Sequence, residues 1–170
     1  MKKFVTLVFV LVSLTVWSQK SIQATNEFVV TGQIKKEFKF ALTDIEKFPS
    51  KDIPDVVITN HLGEARSLAK QLRGVLLKDL LKEMELKEES PKRFSEFYFV
   101  FTAIDNYKVV YSWNEIFNTS TGDNLYVITT RDGKNLKDMD ERILILTPSD
   151  FKTGRRHIKG LSKIVVNRAE

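Results

Sequence analysis

Alternating apolar and polar residues predict a protein built mainly from β-strands. The stretches EFVVTGQI (27–34) and EFKFALT (37–43) follow this alternation and predict two paired strands. The stretch at 96–105 is apolar on both faces near its centre, so we expect it inside a sheet. Asp132 and Gly133 mark a hairpin turn. Further strands are predicted at residues 54–60, 106–113, 125–137, 142–148 and 161–168.

One segment has the spacing of an amphipathic helix. In VLLKDLLKEMELK (75–87) the apolar residues recur at helical intervals, whereas the charged residues fall mostly on the opposite side. The apolar residues concerned are Leu76, Leu77, Leu80, Leu81 and Met84. We expect this long helix to pack on a sheet, with a further short helix at WNEIFN (113–118). Many strands and few helices predict an α+β fold, with one domain over residues 27–170.

The N-terminus resembles a secretory signal peptide. Lys2 and Lys3 precede an apolar run over residues 4–17, and cleavage is expected near Ser18 or Gln19. A transmembrane anchor is the alternative, but the run is short for a bilayer core of about 30 Å. Residues 1–18 are therefore predicted to be removed, leaving a short leader at 19–26. The expected product is periplasmic or secreted, without a membrane anchor after cleavage.

Charge and cysteine content exclude several functions. Without Lys2 and Lys3 the chain has 25 basic and 22 acidic residues, a net charge of +3. This mild charge, with no basic stripe interleaved with aromatic residues, argues against nucleic acid as a partner. The chain has no cysteine, which excludes disulfides, thiolate catalysis and thiolate metal ligands. A nucleophile elbow and a glycine-rich phosphate loop are also missing.

A basic loop between two apolar runs is the first candidate site. Arg155, Arg156, His157 and Lys159 follow Gly154, and such groups bind phosphate-like anions well. The alternative is a solvated loop whose arginines pair with Asp150 or other carboxylates. His61 is a second candidate, as a ligand or substrate contact, but two histidines without common spacing give no zinc signature.

The order of these elements resembles the molybdopterin-binding domain of sulfite oxidase-like oxidoreductases. Four stretches carry the resemblance: FALTDIEKFP (40–49), LRGVLLKDLLKEM (72–84), TAIDNYKVVYSWNEI (102–116) and GRRHIKGLSKIVV (154–166). Together they extend over most of the chain from about residue 27. The resemblance implies mixed sheets with a barrel-like β core. It also implies that Arg156 and Lys159 occupy positions that hold the pterin cofactor in active relatives.

The chain departs from this family at the metal ligand. Active relatives ligate molybdenum with a cysteine upstream of the helix, but the corresponding residues 58–72 contain none. His61 lies near that position, but one imidazole is not an obvious replacement for the thiolate. A thiolate is the soft ligand that this chemistry uses. The sequence therefore predicts a divergent member without a cysteine-ligated molybdenum centre.

Three functions follow from these observations. The first is a non-redox binding module that holds a molybdopterin-type pterin, another small anionic ligand or a partner protein. Its cleft wall would contain Arg156 and Lys159, with Arg73 and His61 nearby. The second is an oxidoreductase that keeps the cofactor through phosphate contacts alone. The third is a structural or interaction domain with an empty cleft.

Overall fold

A computed structural model describes residues 24–170, which fold into strands joined by short helices. The strands are β1 (Glu27–Gly32), β2 (Phe38–Ala41), β3 (Lys51–Ile53), β4 (Val56–Thr59), β5 (Ala65–Ala69), β6 (Leu72–Leu76), β7 (Phe97–Ala103), β8 (Lys108–Ser112), β9 (Tyr126–Arg131), β10 (Lys134–Asn135), β11 (Leu144–Leu146) and β12 (Leu161–Arg168). The α-helices are α1 (Leu42–Ile45), α2 (Leu77–Leu80) and α3 (Trp113–Phe117). Short 3₁₀ turns lie at Pro91–Glu96, Gly122–Asn124, Leu136–Asp138 and Thr153–Arg155. The predicted α+β class is confirmed at this coarse level.

The predicted signal peptide, residues 1–18, lies outside the described residues, as does most of the leader. The described end of the leader contacts the domain. The Thr25 hydroxyl donates to the Arg142 carbonyl at 2.9 Å, and Asn26 accepts from the Arg142 guanidinium at 2.6 Å. Within residues 24–170, no helix has the length and apolar character needed to cross a membrane.

The first sheet brings the two ends of the described chain together. Its strand order is β2-β1-β12-β7-β8, with β1 and β12 parallel and the other pairs antiparallel. The predicted interior position of residues 97–103 is confirmed, since β7 lies between β12 and β8. Gly32 ends β1 with φ of +103°, and a Cβ there would lie 2.2 Å from the Val166 carbonyl oxygen. Only glycine permits this conformation and this close approach.

The second sheet carries the polar pocket described below. Its order is β10-β9-β6-β3, and β11 also pairs with β9. The predicted turn at Asp132 and Gly133 is confirmed, because it joins β9 to β10. The strands β4 and β5 form a separate two-stranded hairpin. Buried residues from both five-stranded sheets form one hydrophobic core, which includes Ile164 of β12 and Ile128 of β9.

The predicted long helix is wrong. Leu76 is the last residue of β6, and α2 is only four residues long. The apolar run begins as a strand because Leu72, Val75 and Leu76 are buried where β6 pairs with β3 and β9. After α2 the chain turns back, and Leu86 forms a β-bridge with Ile34. The apolar run is therefore divided among a strand, one helical turn and a return segment. Each of these elements buries its own leucines, so the leucine spacing resembles that of one long helix.

The expected barrel-like core is also wrong. Within residues 24–170 the sheets are open and packed through a shared core, without closure into a barrel. The outer strands of the second sheet are short: β3 has three residues, β10 has two and β11 has three.

Candidate functional site

The basic segment is held against the β4–β5 hairpin. The Thr153 hydroxyl donates to the Val57 carbonyl at 2.7 Å and accepts from the Thr59 N–H at 3.1 Å. A Cβ at Gly154 would lie 1.7 Å from the Thr59 carbonyl oxygen, so the two backbones touch directly. These contacts fix the start of the basic segment, at Thr153 and Gly154, against β4.

Arg156 is bound by carboxylates of the same chain. Its Nε and Nη2 atoms donate to the two oxygens of Asp150, with the Nε bond at 2.8 Å, and Nη1 donates to Glu115 at 2.8 Å. The guanidinium also stacks on the Tyr111 ring, 4.4 Å from its centre. Hydrogen bonds to Asp150 raise the pKa of Arg156, so it stays charged. Pairing with Asp150, part of the predicted alternative, therefore holds for Arg156 but not for Arg155, which donates to the His61 carbonyl.

Glu115 and Tyr111 complete this cluster. Burial opposes ionisation of Glu115, but hydrogen bonds from the Ser112 N–H and hydroxyl and from Arg156 give a net lowering of its pKa. Burial raises the pKa of Tyr111 to about 12, and its hydroxyl hydrogen-bonds the Thr147 hydroxyl at 2.9 Å. The cluster joins α3, β8 and the segment after β11, which is a structural role.

Lys159 lies in a different environment from Arg156. Its ammonium contacts Glu141 at 2.6 Å, and Arg131 lies 3.9 Å from the same carboxylate. Both cations line a pocket of about 340 Å³ in which Asp132, Asp140 and Glu141 balance three basic side chains. Burial, with the positive charges of Arg131 and Lys159, lowers the pKa of His157 to about 3. His157 is partly exposed to solvent.

His61 is exposed on the turn between β4 and β5. Its backbone carbonyl accepts two hydrogen bonds from the Arg155 guanidinium, at 3.0 and 3.2 Å. The β4–β5 hairpin therefore lies on the basic segment. The contact uses the His61 backbone and leaves its ring outside the interaction.

Arg73 lines a separate pocket of about 340 Å³ on the second sheet. Its Nε lies 3.1 Å from Asp52, whose side chain is almost fully exposed, and one Nη atom donates to the Ser50 carbonyl at 3.3 Å. The other residues that line this pocket are Glu46, Phe48, Ser50, Thr129, Thr130, Asn135 and Lys137. We call it the Arg73 pocket.

A β-bulge shapes the Arg73 pocket. The register of β6 against β9 shifts between Arg73, which faces Thr130, and Gly74, which faces Ile128. Thr129 is the extra residue, so Thr129 and Thr130 both line the pocket although neighbours in a regular strand point to opposite faces. The Thr129 hydroxyl hydrogen-bonds the Ser50 hydroxyl at 2.8 Å. Bulges are common beside binding sites for this reason.

The four residues singled out by sequence do not line one pocket. Arg156 and Lys159 share a segment, and His61 contacts it through the neighbouring Arg155. Arg73 and Lys159 line different pockets. The sequence analysis did not identify the polar residues around Arg73. The adjacent threonines Thr129 and Thr130, close to the predicted turn at Asp132 and Gly133, were the sequence feature that could have indicated a polar pocket there.

The donor set does not fit a thiolate-ligated molybdenum centre. The chain has no cysteine, and residues 24–170 contain no group of three or more His, Asp or Glu side chains placed to hold a metal ion. The two residues expected to hold the pterin phosphate, Arg156 and Lys159, are paired with carboxylates.

Comparison with known proteins gives a likeness in fold only. No family model matches the chain, and no curated protein matches it in sequence. The crystal structure of the sulfane dehydrogenase SoxCD from Paracoccus pantotrophus superposes with a TM-score of 0.65 at 12% sequence identity. The match covers 86% of this chain but 40% of that chain, so this protein spans less than half of its length. The likeness indicates a related fold and agrees at a coarse level with a sulfite oxidase-like fold.

Proposed function

We propose that this protein is a non-redox binding module that holds a small anionic ligand in the Arg73 pocket. One observation carries the proposal: Arg73 and Lys137 meet three hydroxyl groups and an amide in one cavity of ligand size. Lys137 makes no ion pair within residues 24–170, and Asp52 can leave Arg73 because it is exposed. This differs from Arg156 and Lys159 of the basic segment, whose carboxylate partners Asp150 and Glu141 are largely buried.

The chemistry of the pocket narrows the class of ligand. Arginine binds carboxylate and phosphate groups through paired hydrogen bonds. Glu46 lines the same cavity and would repel an anion, but it accepts hydrogen bonds from N–H or O–H groups. A ligand that carries both an acidic group and such donors fits best, and an acidic pterin or a sugar acid belongs to this class. Phe48 offers an apolar surface for a ring.

Titration with small anions tests the proposal. We expect inorganic phosphate and pterin-6-carboxylate to shift the backbone NMR signals of Thr129, Thr130 and Asn135. Replacement Arg73→Gln removes a charged hydrogen bond worth about 1.5–3 kcal/mol and should weaken binding roughly 10- to 100-fold.

Arg66→Gln is the matched control, because Arg66 is an exposed arginine on β5 and should leave the affinity unchanged. The proposal fails if neither anion shifts these signals at millimolar concentration. It also fails if Arg73→Gln binds as tightly as the parent chain.

Export from the cytoplasm is part of the proposal. The basic start and apolar run of residues 1–18 support it. Mass spectrometry of the protein from its native host should give a mature chain that begins near Gln19. A chain that retains Met1 would contradict export by cleavage.

A further inference from the structure

Three aromatic side chains lie together in the wall of a cavity that shares no residue with the Arg73 pocket. They are Phe94, Trp113 and Phe117, and each is only partly buried. The centre of the Trp113 ring lies 5.3 Å from that of Phe94 and 5.4 Å from that of Phe117. The ring planes are tilted by 56° and 35°, so the three rings do not form a single flat face. We call this cavity, of about 480 Å³, the Trp113 pocket.

The core and a helix cap hold the aromatic rings in place. Phe117 packs on the fully buried Phe99 of β7, with ring centres 6.1 Å apart. Trp113 is the first residue of α3, and the Ser112 hydroxyl caps this helix by accepting from the Glu115 N–H at 3.1 Å. The rings are therefore positioned before a ligand arrives, which lowers the entropic cost of binding.

The return segment after α2 supplies another part of the wall. Its apolar contribution comes from Leu81, Met84 and Leu86. The Lys35 N–H donates to the Glu85 carbonyl at 2.8 Å, which ties this segment to the chain that follows β1. The Met84 thioether is polarisable and flexible, so it adapts to a compact apolar group.

The two lysines of the Trp113 pocket are offset by carboxylates. The Lys35 ammonium lies 2.8 Å from Glu85, which also lines the pocket. Lys82 lies 3.8 Å from Glu83, which is outside the lining. The lysines therefore do not make the pocket cationic.

The glutamates of the lining leave one carboxylate in excess. Glu88 is largely buried, and Arg168 offsets it at 3.0 Å. Glu89 is exposed and makes no ion pair within residues 24–170. The hydrogen bond to Glu85 raises the pKa of Lys35, and the charge of Glu89 raises it further, so two carboxylates act on one ammonium. With three glutamates and two lysines, the lining carries a net negative charge.

We propose that the Trp113 pocket binds a small molecule that carries a quaternary or otherwise alkylated ammonium group. A cation is attracted to the face of an aromatic ring within about 6 Å of its centre, and tryptophan attracts it most strongly. The alkyl groups would contact the rings and Met84, while Glu89 offsets the charge. A primary ammonium fits less well, because rings and aliphatic side chains accept none of its three hydrogen bonds.

Choline and its uncharged isostere 3,3-dimethyl-1-butanol test the proposal. The two molecules have nearly the same shape, but only choline carries a charge. We expect choline to bind roughly 3- to 30-fold more tightly, the range that cation–π contacts supply. Binding is measured from the NMR signal of the Trp113 indole N–H, because this residue lies in the wall of the pocket.

Two replacements make the test specific. Phe94→Leu keeps an apolar side chain but removes one ring, and it should weaken choline binding about 3- to 5-fold. Glu89→Gln removes the excess carboxylate and should weaken it about 3-fold. Glu89 is exposed, so this variant keeps its fold even where Phe94→Leu does not.

Two control variants should bind choline as the parent chain does. Glu64→Gln removes an exposed glutamate outside the pocket, next to β5. Arg73→Gln alters the other pocket, so an unchanged affinity separates this site from the proposed anion site.

Three results would overturn the proposal. One is an indole signal that choline does not shift at tens of millimolar concentration. Another is equal binding of choline and its uncharged isostere, which would show an apolar pocket without preference for a cation. The third is choline binding that neither Glu89→Gln nor Phe94→Leu weakens.

Phosphatidylcholine vesicles distinguish a free ligand from a lipid headgroup, since both carry the same ammonium group. Choline binding without sedimentation of the protein on vesicles supports a free small molecule. Vesicle binding that Glu89→Gln and Phe94→Leu both weaken would overturn that assignment and place the site at a lipid surface.

Discussion

At the scale of single residues, the basic groups of residues 24–170 include some that hold the fold and others that stay exposed to solvent. Arg156 stacks on Tyr111 and binds Asp150 and Glu115, so it joins three segments. Arginine suits this position because its planar group can stack and form several hydrogen bonds at once. Arg73 and Lys137 remain accessible to a ligand, which is why the proposed site lies on the second sheet.

The lowered pKa of His157 predicts that the folded chain loses stability as the pH falls. Its pKa is about 3 in the folded chain against an ordinary value of 6.5, because of burial and of the charges of Arg131 and Lys159. Between these values the unfolded chain binds a proton that the folded chain does not, so stability falls as the pH falls. We expect a contribution of about 2 kcal/mol to be lost between pH 7 and pH 5.

Urea unfolding at the two pH values measures this loss. His157→Gln should show a smaller decrease in unfolding free energy than the parent chain, by about 2 kcal/mol. His61→Gln, on an exposed turn, is the matched control and should follow the parent chain. Equal decreases in the parent chain and in His157→Gln would show that His157 titrates alike in both states.

At the scale of elements, the strands were predictable and the long helix was not. Alternation located β1 and β2, in which every second side chain is the more buried one. The run that is apolar on both faces located β7, which is buried at most of its positions. The leucines of residues 72–81 satisfy a helical spacing and a buried strand equally, and only pairing of β6 with β3 and β9 decides between them. The bulge at Thr129 depends on that same pairing. The Arg73 pocket could therefore not be predicted from the sequence, although Arg73 itself was among the candidate site residues.

Thr153 predicts how firmly the β4–β5 hairpin is attached. Thr153→Val keeps the size of this buried side chain but removes its hydrogen bonds to Val57 and Thr59. An unsatisfied buried N–H costs about 1–3 kcal/mol. We expect the Thr59 amide to exchange with solvent roughly 5- to 100-fold faster, as hydrogen exchange would measure.

Thr153→Ser is the control for this effect. It retains the hydroxyl and should leave Thr59 protected within a few-fold of the parent chain. If Thr153→Val also leaves Thr59 protected, other contacts such as the close approach of Gly154 hold the hairpin in place.

At the scale of the whole molecule, the topology makes the fold depend on both ends of the described chain. The C-terminal β12 lies between β1 and β7, so the first sheet is complete only when residues distant in sequence have met. The two larger sheets then share one core. A shared core predicts that the domain unfolds as a unit, because neither sheet can expose its buried face alone.

Ile128 provides the test of this cooperativity. It is buried in β9 of the second sheet, whereas Trp113 begins α3 beside the first sheet and is the sole tryptophan after residue 18. Ile128→Ala should cost about 2–5 kcal/mol, and Ile128→Val about 0.5–1.5 kcal/mol. If the domain is a single cooperative unit, each variant lowers its urea midpoint by the same amount whether unfolding is followed by Trp113 fluorescence or by far-ultraviolet circular dichroism. The opposite result is a dichroism midpoint that falls while the fluorescence midpoint stays fixed. It would mean that the sheets unfold separately, because the stability of the first sheet, which Trp113 reports, would not depend on the second sheet.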